Sequence, residues 1–174
     1  MEQRILIAID PGDIESGYVV VSYSRDAGIT KILEKGKALN EDIFPVFERY
    51  LAYDFAIEMI ASYGMAVGAT VFDTCVYIGR LVQRAYDVGR LASRIQYVYR
   101  KEEKLCLCGT TKAKDANIAQ ALADHYAPGQ KNRGKGTKQA PGFFYGFSAD
   151  MWAAMAVAHT AVESRRRKED KTQN

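Results

Sequence analysis

The run "LIAIDPGDIESGYVVV", from Leu6 to Val21, constrains the fold more than any other stretch. Leu6 to Ile9 are apolar without interruption, as in a strand buried on both faces, and the run then stops at Asp10, Pro11 and Gly12, which turn the chain. Beyond Gly17 a second β-branched run, Val19 to Val21, begins. A strand buried on both faces needs strands beside it and helices above and below it, so the chain must build a layered α/β structure. A carboxylate at the end of such a strand costs free energy unless it is hydrogen-bonded, paired or metal-bound. What covers the strand, and what Asp10 holds, are therefore the two questions the stretch poses.

The rest of the pattern supplies the layers. Residues 4–10, 17–24 and 29–37 read as three strands joined by turns at Pro11, Gly12 and Gly28, as an antiparallel meander requires. Asn40 is expected to cap a helix over 41–52, and "YDFAIEMI" returns as a strand over 53–59. After the loop "ASYGMAVG", Val71, Cys75, Ile78, Val82 and Ala85 recur at steps of three and four, predicting a helix buried on that face. "SRIQYVYR" (93–100) is the next strand. A helix capped by Thr110 or Thr111 follows over "KAKDANIAQALADHY", with Ile118 and Leu122 inward, and a last helix spans 148–164 with Val157, Ala158 and Ala161 on its inner side. The order βββαβαβαα predicts a mixed five-stranded sheet, three antiparallel strands and then parallel ones, flanked by helices.

A length of 174 residues suits one domain, assigned to 1–164, with 165–174 expected as a basic, flexible tail holding Arg165, Arg166, Arg167 and Lys168. The 48% hydrophobic fraction excludes a disordered chain. No apolar stretch reaches bilayer length and no signal-peptide pattern opens the chain, so a cytoplasmic protein without membrane contact is expected. Cys75, Cys106 and Cys108 are expected as free thiols, since "CLCG" and two histidines make no zinc set of recognisable spacing. His125 and His159 read as loop-end and helix-surface residues, and Trp152 as packing. Basic residues concentrate in "GQKNRGKGTKQAPG", where Lys131, Arg133, Lys135 and Lys138 stand without an acid. Such a loop meets a polyanion or is simply solvated.

Asp10 is not alone. In "DFAIEMI", strand alternation sends Phe55 and Ile57 one way and Ala56 and Glu58 the other, leaving Glu58 near the end of the fourth strand. Asp150 stands in the first turn of the last helix, where the dipole favours a negative charge. Each has an ordinary explanation: Asp10 opens a turn, Glu58 pairs with a lysine, Asp150 caps a helix. Together, carboxylates converging from two strands and a helix make a hard-oxygen site suited to Mg²⁺ or Mn²⁺ and to phosphodiester hydrolysis.

Four blocks, "IAIDPGDIESGYVVV", "FAIEMIASYGM", "TKAKDANIAQAL" and "FSADMWAAMAVAHTA", resemble in order and spacing those of the RuvC-type Holliday-junction resolvases of the ribonuclease H-like superfamily, particularly phage-encoded ones. The resemblance spans about residues 4 to 162. It implies a ribonuclease H-like fold and a Mg²⁺-dependent endonuclease, with Mn²⁺ able to substitute, that cleaves branched DNA in recombination and repair within a bacterial or phage-infected cell. Four-way junctions are the implied substrate, with forks and flaps as further candidates, and a homodimer the implied assembly. Asp10, Glu58 and Asp150 match three of the family's four catalytic, metal-binding acids. The fourth falls at Ala153, which leaves a three-acid enzyme, another carboxylate such as Asp13 or Asp54, or a non-catalytic branched-DNA-binding relative. Lys112 and Lys114 match a DNA-approaching segment, in the order Ala-Lys-Asp where the family tends to Ala-Asp-Lys. Tyr63, beside Gly64, matches a base-probing aromatic. The helix after that loop matches the family's dimer interface and would offer Tyr77, Leu81 and Tyr86 to a second copy. An actin-like phosphotransferase is the remaining alternative, weakened by the lack of Gly-rich phosphate loops.

Overall fold

The protein is described by a computed structural model covering residues 2–50, 54–62, 64, 66–89 and 92–172. Strands β1 (Arg4–Asp10), β2 (Glu15–Ser24), β3 (Gly28–Leu39), β4 (Asp54–Met59) and β5 (Ile95–Tyr99) form one sheet in the order β3-β2-β1-β4-β5. The β1–β2 and β2–β3 pairs are antiparallel, and the β1–β4 and β4–β5 pairs parallel, as the sequence predicts. The helices are α1 (Asn40–Arg49), α2 (Ala69–Asp87), α3 (Arg100–Cys108), α4 (Asp115–Tyr126) and α5 (Ala149–Thr172).

The central strand is covered on both faces because its side chains alternate. Leu6, Ala8, Val19, Val21, Ala56 and Val98 pack under α4 and α5, while Ile7, Ile9, Val20, Phe55 and Ile57 pack against α1 and α2. By the same period of two, Asp10 and Glu58 belong to the α5 face. Phe55 and Ile57 are fully buried, worth about 1.5–3 kcal/mol each. A one-residue slip of β4 would drive Glu58 into the α1–α2 core, so these two side chains hold the acid in register. Ala8 and Ala56 face Ala154, Ala158 and Ala161, all fully buried, which lets α5 lie close on the sheet.

Several local expectations are corrected. Asn40 does not cap α1: Leu39 is at the cap, and the Asn40 amide instead donates to the carbonyls of Gly12 (3.1 Å) and Asp13 (3.0 Å). The buried row of α2 is Thr74, Tyr77, Ile78, Leu81 and Ala85, leaving Cys75 exposed. Tyr77 can turn inward because its hydroxyl donates to the Asn40 carbonyl at 3.1 Å, so its polar tip is satisfied. Tyr77 and Leu81 are thus core residues, unavailable to a second copy; Tyr86 is exposed.

Helix α3 is absent from the sequence reading, because Arg100 to Lys104 are all charged and show no apolar period. It forms through its ends: the Glu102 carboxylate accepts from the Tyr99 N–H at 2.8 Å, and Gly109 at φ 66 terminates it in the left-handed region. Helix α4 starts at Asp115 with Lys114 at the cap, not at Thr110 or Thr111, and Asn117 Oδ1 accepts from the Lys114 N–H at 2.9 Å. Residues 165–172, expected as a tail, continue α5. There Arg165 donates to the Arg94 carbonyl (3.0 Å) and Arg166 to the carbonyls of Arg25 (2.5 Å) and Asp26 (3.0 Å). His159 is buried, not on the helix surface; its Nδ1 lies 2.7 Å from the Tyr126 hydroxyl, and burial pulls the imidazole down to about 4, which keeps it neutral. Trp152 packs on Phe144, with ring centroids 4.4 Å apart.

Candidate active site

The parallel pairing of β1 and β4 matches Ile9 with Ile57, so the next rung sets Asp10 beside Glu58. The two half-buried carboxyls both line a cavity of about 260 Å³ with Pro11, Met59, Ile60, Ala61 and Arg100. Burial first, then the negative charge of Glu58 and Asp150, holds Asp10 well above the ordinary aspartate range, against the pull of Arg100. Glu58 is raised by burial and by Glu103. Burial and neighbouring negative charge thus disfavour the charged form of both carboxyls, as in a pair short of counter-charge.

The loop after Asp10 is fixed from below. Ser16 Oγ accepts from the Gly12 N–H (3.1 Å) and donates to Asn40 Oδ1 (2.7 Å), while the Asn40 N–H bonds the Ile14 carbonyl at 3.0 Å. Gly17 answers why the second strand resumes where it does. It pairs with Asp10 across β1–β2, and a Cβ there would stand 2.3 Å from the Asp150 carbonyl oxygen. Only glycine lets the first turn of α5 settle over the strand ends.

Asp150 reaches the same neighbourhood but is engaged elsewhere. Its Oδ2 lies 3.3 Å from Lys37 Nζ, which also pairs with Glu15 at 3.1 Å. Asp54 is not a substitute for the acid absent at Ala153. Asp13 is exposed, with Oδ1 accepting from the Ile14 N–H, and Asp54 lies at the opposite end of β4. Lys112, Lys114, Lys131, Arg133 and Lys138 are exposed and Lys135 is half-buried. Arg133 lines a cavity of about 180 Å³ with Arg100, Asp115, Trp152 and Ala153. Tyr63 lies outside the described residues, as does Met65.

Sequence reasoning missed Arg100 and Glu103. Glu103 is wholly buried, accepts from Arg100 at 2.5 Å, and is raised by its own burial. Arg100 also pairs with Asp115 and is held firmly charged by this acid surround. "RKEEK" reads as a solvated face. One signal was available: Arg100 directly follows β5, and residues just past the ends of parallel strands line the crevice where sites form.

Two converging carboxylates fit Mg²⁺, which keeps several waters and takes further oxygens from substrate phosphate instead of an all-protein cage. They are not such a cage: among the described residues, no three His, Cys, Asp or Glu side chains converge closely enough to enclose an ion. No helix among the described residues is long and apolar enough to cross a membrane.

No family model matches the sequence, and no curated protein matches it. Solved structures do. The chain superposes on Thermus thermophilus RuvC with a TM-score of 0.66 at 18% identity, covering 92% of this chain and 95% of that one. T. thermophilus RuvC in complex with Holliday junction substrate matches with a TM-score of 0.65 at 15% identity, over 92% and 95% of the two chains. With the sheet order and the helix over its strand ends, these matches establish that the chain has the RuvC-like, ribonuclease H-like fold.

Proposed function

We propose that the protein is a structure-selective endonuclease that cuts branched DNA, four-way junctions first, by Mg²⁺-dependent phosphodiester hydrolysis, with Mn²⁺ able to replace Mg²⁺. The observation that carries this reading is the Asp10–Glu58 pair, set at adjacent strand ends beneath α5 and lining one cavity, in a RuvC-like fold. Asp10 and Glu58 would hold the ion, as ionised carboxylates. Asp150 would join them in place of its present pair with Lys37. When bound, Mg²⁺ supplies positive charge to a phosphodiester oxygen and makes water a stronger nucleophile. The chain's own part is to hold the acids and the phosphates in place. The Ser16–Asn40 clamp keeps Asp10 in position, and Lys112, Lys114, Lys131, Arg133, Lys135 and Lys138 hold backbone phosphates. Tyr63 contributes a stacking surface for an unpaired base.

A second copy completes the assembly. Phe72, Val76 and Tyr86 are exposed on α2, spaced for one outward face. Pairing two such faces would set two sites in the two-fold relation that a four-way junction presents.

The test is cleavage of a labelled four-way junction and a matched linear duplex with Mg²⁺, Mn²⁺ or EDTA, beside Asp10→Asn. Paired metal-dependent nicks in the junction, absent in the variant while junction binding persists, are expected. The second reading, a non-catalytic junction binder, is favoured by Ala153 and by the Asp150–Lys37 pair. Junction binding without nicks in either metal selects it.

A further inference from the structure

We propose that the cavity beside Ala153 is a phosphate-binding subsite whose cations are Arg100 and Arg133, receiving phosphodiester oxygens where the resolvase pattern has its fourth carboxylate. The proposal deepens the nuclease reading and rests on it only for the identity of the phosphate as one of a DNA strand.

The cavity, of about 180 Å³, is walled by Arg100, Arg133, Asp115, Trp152 and Ala153. Arg100 also walls the cavity of about 260 Å³ that holds Asp10 and Glu58. Arg100 thus borders both the carboxylate pair and the Ala153 space. A carboxylate at 153 would face two arginines; the alanine methyl adds no further acid to Arg133 or to Arg100, which already pairs with Glu103 and Asp115. An oxyanion entering here shares the Arg100 wall with the cavity of the Asp10–Glu58 pair, as a phosphate of a bound strand would.

Arg100 is positioned in advance, and Arg133 is carried on a constrained backbone. Glu103, wholly buried, holds Arg100 from beneath at 2.5 Å, so little ordering remains when the guanidinium binds. Arg133 rides on a loop with unusual backbone: Asn132 at φ 51 and Arg133 at φ 52 are consecutive non-glycine residues in the left-handed region, followed by Gly134 at φ 70. The shape is enforced, since the Phe144 N–H bonds the Gly134 carbonyl at 3.1 Å and a Cβ at Gly134 would stand 2.3 Å from that of Ala127. Asp115 opposes an anion, but its side chain is 86% exposed and its pair with Arg100 is readily exchanged. Asp115 therefore occupies Arg100 until a phosphate displaces it.

The chain's single tryptophan, Trp152, lines this cavity and reports on it directly. Pyrophosphate would be titrated in EDTA against Trp152 fluorescence, and a four-way junction and linear duplex bound in EDTA across a salt series, for the wild type, Arg133→Ala, Ala153→Asp and Asp115→Asn. Thermal melts check that each variant folds, with Arg133→Gln used if Arg133→Ala does not. Wild type should saturate, Arg133→Ala and Ala153→Asp should each weaken pyrophosphate by about fivefold or more, a loss on the scale of a hydrogen bond to a charged group, and Asp115→Asn should tighten it. Arg133→Ala should also lower the salt slope of junction binding by about one. No saturable signal in the wild type, or unchanged binding in both Arg133→Ala and Ala153→Asp, would overturn the subsite. So would tighter junction binding by Ala153→Asp. Saturable pyrophosphate binding with the expected variant effects but no preference for the junction over duplex would uphold the subsite and overturn the junction reading.

Discussion

The two ends of β4 carry the same chemistry to opposite effect. At its start, Asp54 is only 6% exposed, yet the Tyr23 hydroxyl donates to it at 2.5 Å and Arg165 lies 3.4 Å away. That acid is fully engaged and fastens the end of α5 to the sheet. Four residues on, Glu58 meets Asp10, and the cation beside them, Arg100, is already shared with Glu103 and Asp115. A buried acid with its own partners is a structural joint, whereas a buried pair short of counter-charge is a site for something brought from outside. Stability is concentrated at one end of the sheet and given up at the other.

Four substitutions or conditions would break or sharpen this contrast. The largest expected effect is on Asp10→Asn, which should lower junction cleavage by on the order of a thousandfold without lowering the melting temperature. A fall in melting temperature would make Asp10 a joint like Asp54. Next, Asp54→Ala should cost about 3 kcal/mol by stranding Arg165 and the Tyr23 hydroxyl, seen as a fall of about 9 °C, with junction affinity unchanged. Gly17→Ala should cost about 1–3 kcal/mol as an overpacked contact, because its Cβ would meet the Asp150 carbonyl at 2.3 Å. Cleavage should fall with it as the start of α5 lifts from the strand ends.

The smallest effect is the dependence of stability on pH without metal. Asp10 and Glu58 are raised in the folded protein, so the native state keeps protons that the unfolded chain has already released. Their contribution is thus fullest below the ordinary carboxylate value, about 4, and is lost as pH climbs through the raised values. Melting curves should show the wild type losing stability relative to Asp10→Asn over that window, with Mg²⁺ restoring it. Parallel curves for the two proteins would show that the pair is already neutralised.

The layered fold was legible because strand faces are written with a period of two. Leu6, Ala8 and Asp10 on one face and Ile7 and Ile9 on the other predict where the first acid points, and Phe55, Ile57 and Glu58 do the same for β4. Residues whose role depends on remote partners were not legible. Cys75 fits the α2 period as well as Tyr77 does, and the contact between Tyr77 and Asn40 selects the row that turns inward. Arg100 and Glu103 look like any charged pair, and only the packing of α3 makes one wholly buried and the other the neighbour of Glu58.

By itself, then, the sequence determined the order of the five strands and of every helix but α3, the two-sided burial of β1, and the placing of Asp10 and Glu58 near strand ends. Those follow from local side-chain alternation and from the cost of burying an acid. The tertiary structure alone decided that Asp54 is a joint, that Asp150 rests on Lys37, and that Ala153 opens a cavity between Arg100 and Arg133. The reason is electrostatic: a charge is defined by what faces it across a few ångströms, and those neighbours come from segments far apart in the chain.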